Sequence, residues 1–147
     1  MSLAEKSKGF LDFLETWLEN RPTITLDEAI PEPEQSAIIT ADVINAFLYE
    51  GPLSSPRVAQ IDEPITDLME AAWDQGMRDI LLVQEGHKED SLEFDAFGEH
   101  AVRGTRQAAA IDMIQNLPFY DQIETVYKDS IHPALNNGFD DWVDSRK

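Results

Sequence analysis

The chain has 147 residues, 42% hydrophobic and 9% aromatic, with 29 acidic against 11 basic side chains and a formal net charge of −18. That length makes one domain, and so negative a field repels phosphate backbones and anionic membranes, which argues against nucleic-acid or membrane partners. Cysteine is absent, excluding disulfides and thiolate metal sites, and neither a membrane-length apolar run nor a signal-peptide pattern is visible, so a soluble, cytoplasmic protein is expected.

The first pattern is helical. Phe10, Leu11, Phe13, Leu14, Trp17 and Leu18 recur at helical spacing from Ser7 onward, and Asn20-Arg21-Pro22 stops them. Such a stripe suits a core edge or a contact in a homo-oligomer. Thr23 to Ser36 has Pro31 and Pro33 among acids and reads as a linker, separating residues 1–36 from a domain over 37–147. Ala37-Ile38-Ile39-Thr40-Ala41 is a short strand of the kind parallel sheets bury on both faces, and Asp42 lies at its C-terminal end. A turn at Gly51-Pro52 follows.

Val58 to Gln75 carries a second amphipathic pattern, with Pro64 expected in its first turn or at a kink and Gly76 after its end. Asp79 to Gln84 is the second strand. Thr105 to Asn116 spaces Ala108, Ile111, Met113 and Ile114 as a third helix, with Thr105 as its N-cap. Ile123 to Tyr127 is the third strand, running into Lys128, and Phe139 to Val143 starts a last helix. Alternating strands and helices predict an α/β three-layer sandwich around a parallel sheet. Three strands leave long open edges, so the pattern reads as part of a larger sheet.

Between the second strand and the third helix runs VQEGHKEDSLEFDAFGEHAVRGT, Val83 to Thr105. It holds His87 and His100, several carboxylates, and the aromatics Phe94 and Phe97. A ligand-rich loop at a strand's C-terminal end is where an α/β protein keeps its site.

Four pieces in order resemble the isochorismatase-like cysteine hydrolases, above all the nicotinamidase branch. They are Asp42-Val-Ile-Asn45-Ala-Phe47, Glu85-Gly-His87, Phe97-Gly-Glu-His100-Ala-Val-Arg-Gly104-Thr105, and the strand that ends in Lys128. The match runs from about Ala37 to Val143. The resemblance implies acyl transfer from a small, planar amide through a thioester. Asp42 would be the general base and Lys128 the ammonium that favours a thiolate. Phe47 and Phe97 fall where the family sandwiches the substrate ring. Glu85, His87 and His100 match the nicotinamidase metal ligands, with Glu where those enzymes carry Asp, and Zn, Fe or Mn suits such a set.

The family's nucleophilic Cys lies after a fourth strand that this sequence does not contain. A truncated hydrolase, inactive as it stands, is therefore the expectation. A non-catalytic metal- or ligand-binding relative and isochorismatase-type vinyl-ether hydrolysis are the alternatives. Plainer roles also stand: a strand-end cap for Asp42, a solvated lysine for Lys128, ordinary loop histidines for His87 and His100, and core aromatics for Phe47 and Phe97. His132 beside Pro133 reads as structural, and Glu89-Asp90 as a solvated face.

Overall fold

The computed structural model describes residues 2–146. They divide into two compact units, Met1–Pro31 and Glu32–Lys147. The first holds α1 (Leu3–Glu19) and the single turn α2 (Leu26–Ala29). Helix α1 starts earlier than its apolar pattern because Ser2 and Glu5 form a capping box: Ser2 Oγ accepts the Glu5 N–H, and the Glu5 carboxylate accepts the Ser2 N–H at 2.6 Å. Thr25 and Glu28 repeat the device at α2. The stretch expected to be plain linker thus contains a helical turn, followed by a 3-10 turn at Pro33–Gln35.

The second unit contains, in order, β1 (Ala37–Ala41), α3 (Asn45–Leu48), α4 (Asp62–Asp74), β2 (Asp79–Glu85), α5 (Phe94–Phe97), α6 (Asp112–Gln115), β3 (Glu124–Lys128) and α7 (Phe139–Asp144). The three strands are parallel in the order β1-β2-β3, with Ala37 opposite Asp79 and Glu85 opposite Lys128. Central β2 is buried on both faces. Ile80 and Leu82 join Met69, Ile111, Ile114, Leu117 and Phe119 on one side. Leu81 and Val83 pack with Trp142, Val126, Phe139 and Val143 on the other. Each such side chain contributes roughly 1.5–3 kcal/mol when fully buried. That alternation makes three layers, as the sequence pattern requires.

Pro64 falls in the first turn of α4, where its missing N–H removes no helical bond. Gly76 follows the helix with φ +105°, a left-handed stop open to glycine.

Two expectations fail. β1 is not buried on both faces: it lies at one edge of the sheet, with Ala37, Ile39 and Ala41 exposed. The helix foreseen over Thr105–Asn116 is reduced to α6, and residues 105–111 run as turns. Tertiary bonds outweigh the helical propensity of the alanines. Asn45 N–H donates to Ala109 O, Ala46 N–H to Gln107 O, and Ile111 N–H to Val43 O. Buried Asn45 adds its Nδ2, which reaches the carbonyls of Arg106 and Ala109 at 3.0 and 3.2 Å. Thr105 caps nothing; its hydroxyl donates to Val102 O. No helix among the described residues is long and apolar enough to cross a membrane.

Candidate active site

Asp42 follows β1, Glu85 ends β2 and Lys128 ends β3, so three side chains meet at one edge of the sheet. Asp42 sits at φ +59°, a left-handed conformation that costs a non-glycine residue about 1–2 kcal/mol. Three bonds hold it there. Its N–H donates to Val83 O at 2.8 Å, its Oδ1 accepts the Glu85 N–H at 2.8 Å, and its Oδ2 lies 2.8 Å from Lys128 Nζ. The Lys128 side chain is only 6% exposed, and its Nζ is also 3.9 Å from Glu85 Oε1. A buried ammonium needs this company, since an uncompensated one costs several kcal/mol.

Glu85 faces the histidines with its two oxygens. Oε1 lies 3.5 Å from His87 Nε2 and Oε2 lies 3.4 Å from His100 Nε2. Local backbone structure sets both rings. His87 N–H donates to Ala101 O and Arg103 N–H to His87 O, each at 2.9 Å, a parallel bridge that lays residues 101–103 beside the end of β2. Gly86 makes the approach feasible, because a Cβ there would meet Tyr127 Cδ1 at 2.7 Å and Arg103 Cγ at 3.0 Å. Ala101, buried at φ +45°, is a second left-handed residue flanking the cluster.

His100 Nδ1 lies 2.8 Å from Gly98 O, which only accepts, so Nδ1 is the donor of that bond and Nε2 is the nitrogen turned to Glu85. That is the arrangement of a metal-bound imidazole. Among the described residues, Glu85 Oε2, both His87 nitrogens and His100 Nε2 are buried with no hydrogen-bond partner. Each such group costs about 1–3 kcal/mol if left unmet. Two imidazoles and a carboxylate whose donor atoms lie within 4.8 Å of one another are a donor set that fits a divalent metal.

The structure adds two residues that the sequence patterns did not single out as site residues. Glu93 Oε2 lies 3.8 Å from His87 Nε2, and one ligand atom from each of Glu85, His87, Glu93 and His100 falls within 4.8 Å of the others. Phe94 packs edge-on against both imidazoles, 5.5 Å from His87 and 5.7 Å from His100. Glu93 was hidden among the neighbouring acids Glu89, Asp90 and Asp95. Phe47 is half-buried with its ring 6.3 Å from His100, whereas Phe97 is 53% exposed. His132 stays outside the cluster, its Nδ1 accepting the Ala134 N–H, and Glu89 and Asp90 are exposed. A surface depression lined in part by His87, Val102 and Arg103 opens beside the histidines.

No sequence-family model and no curated protein sequence matches this chain. Solved structures do. An isochorismatase-like hydrolase from Alkaliphilus metalliredigens is similar at TM-score 0.62 and 25% identity, over 74% of this chain and 60% of its own. The N-carbamoylsarcosine amidase of Thermoplasma acidophilum gives 0.63 and 20% over 74% and 60%. The yeast nicotinamidase gives 0.62 and 18% over 75% and 69%. The chain has the isochorismatase-like fold. It spans 60% of the length of the first two structures. Within this isochorismatase-like sheet, Asp42, Glu85 and Lys128 occupy the carboxyl ends of successive strands, the usual place for a site in open α/β folds.

Proposed function

We propose that the whole protein is a hydrolase that cleaves the C–N bond of a small amide, aromatic amides included. Lys128 against Asp42 at 2.8 Å, deep at the strand ends and beside the orphaned ligand atoms of Glu85, His87 and His100, carries this reading. The names of two similar structures, an amidase and a nicotinamidase, support the same bond class.

Asp42 would take the proton of a thiol supplied by residues outside these 147, which contain no cysteine. Lys128 would favour the thiolate and hold the Asp42 carboxylate in place. Attack on the amide carbonyl gives a thioester and ammonia, with the proton returned to the leaving nitrogen by Asp42. Water then releases the acid and restores the thiol. Phe47 and Phe97 would line the planar substrate. Glu85, His87 and His100 would hold a divalent ion such as Zn, Fe or Mn, which supplies Lewis-acid polarisation or a donor-binding position.

The absence of cysteine favours a second reading, a metal-binding module without catalysis. Protein purified from its source should release ammonia from nicotinamide or another small amide, and iodoacetamide should abolish that release. Metal uptake with no turnover on any amide would overturn the hydrolase in favour of the module.

A further inference from the structure

We propose that α1 pairs with α1 of a second copy of this chain, the two helices running antiparallel across their apolar stripes. No residue of α1 is buried, and its capping box starts a full helix of 17 residues. Phe10, Phe13 and Trp17 are 63%, 61% and 48% exposed, and Leu3, Leu11 and Leu18 are 51–81% exposed. At helical spacing these six fall on one side, with Lys8, Asp12, Glu15 and Glu19 on the other. Single apolar side chains are ordinary on a surface, whereas a continuous stripe of them marks a contact.

The size of the stripe suits a pair of copies. Aromatic side chains bury about 150–250 Å2 each. The stripe then offers on the order of 600 Å2 per copy, about 1,200 Å2 for two, where specific interfaces begin. A bilayer surface is a poor occupant, because Glu5, Asp12, Glu15 and Glu19 outnumber Lys6 and Lys8 and anionic headgroups repel them.

Charge sets the direction. A chain of net charge −18 repels its own copy, so pairing needs a local arrangement that offsets this. Lys8 and Glu15 supply it, lying on one flank of the stripe about two turns apart. Across a two-fold axis contacts are reciprocal. Antiparallel helices centred between Leu11 and Asp12 bring Lys8 of each copy to Glu15 of the other, and Phe10 of each to Phe13 of the other. Parallel helices would set Lys8 against Lys8 and Glu15 against Glu15, and would align the two helix dipoles. Within its own helix the Lys8 ammonium meets Asp12 at 2.9 Å, an exposed pair of the kind that contributes little, and an ammonium has three donors.

The whole protein, Phe10→Ser, Lys8→Glu and Glu15→Lys are compared by sedimentation equilibrium in low-salt buffer, where ion pairs are least screened. Circular dichroism confirms matching folds, as expected for substitutions at exposed positions. The parent should dimerise. Phe10→Ser should weaken pairing at least ~30-fold, the scale of an aromatic hot spot, and each charge reversal about 3–10-fold. The two charge variants are then mixed, one of them isotope-labelled, and read by native mass spectrometry. Mixed dimers should exceed the statistical proportion, because each variant supplies the charge that the other has lost. A parent that remains monomeric would overturn the proposal and leave the stripe to another occupant, a lipid surface or a further part of the same molecule. Dimers untouched by Phe10→Ser would overturn it by placing the contact elsewhere. Statistical mixing of the two charge variants would overturn the antiparallel pairing.

Discussion

The two halves of the site are built by different means. Asp42, Glu85 and Lys128 are positioned by strands, with the Glu85–Lys128 register and the Asp42 N–H to Val83 bond fixing their relative heights. His87, Glu93, Phe94 and His100 are positioned by a loop that one bridge, one glycine and a few ring contacts hold. Strands suit groups that must keep opposite charges at contact distance. A loop suits groups that must admit something else.

Substitutions should separate the halves. In the active protein, Asp42→Asn and Lys128→Ala should each lower turnover at least ~100-fold, the scale of a positioned acid or base. Turnover near the parent level in either variant would take that residue out of the chemistry. For the loop half, metal at about 100 times its dissociation constant should raise stability by about 2.7 kcal/mol over chelated protein, measured by denaturant unfolding. Equal stability with and without metal would mean that the orphaned nitrogens have another use.

Gly86→Ala tests the joint between the halves. Its new methyl would press on Tyr127 and Arg103, costing about 1–3 kcal/mol and displacing His87, so metal affinity should fall together with stability. Phe94→Ala should affect the loop alone, weakening metal binding several-fold at a stability cost of about 1 kcal/mol, since edge-on ring pairs are each worth about 0.5–1.5 kcal/mol. The smallest effect belongs to a pair outside both halves. The Tyr49 phenol donates to Asp62, and that bond pushes its pKa up to about 12 from 10.0. Folding therefore favours the neutral phenol, a contribution present below about pH 10 and lost as pH rises through about 12. Tyr49→Phe should flatten that alkaline limb in unfolding experiments while metal uptake stays unchanged.

The strand half was legible in the sequence. Short apolar runs led into Asp42 and Lys128 at strand ends, where parallel sheets place polar groups, and Glu85 stood out through the Glu85-Gly-His87 piece of the family resemblance. The loop half was legible only through His87 and His100. Glu93 carried no periodic signal, because a ligand carboxylate and a solvated one look alike in a run of acids. Phe97 was the more prominent aromatic beside His100 in sequence, yet the chain reverses at Gly98 and brings Phe94 onto the imidazoles. The alanines of 105–111 misled because their partners, Asn45 and Ala46, lie some sixty residues away.

Glu85 belongs to both halves. One of its oxygens lies within 3.9 Å of the Lys128 ammonium, and the same side chain faces two imidazoles. Shared in this way, it makes the two neighbourhoods thermodynamically linked, and linkage is reciprocal. Whatever factor an ion at the histidines imposes on the hold of Lys128 upon Asp42, that hold imposes on the ion. With an ion bound at the proposed site, a change at Lys128 would therefore be felt in its affinity, although among the proposed ligands the lysine reaches this one carboxylate alone.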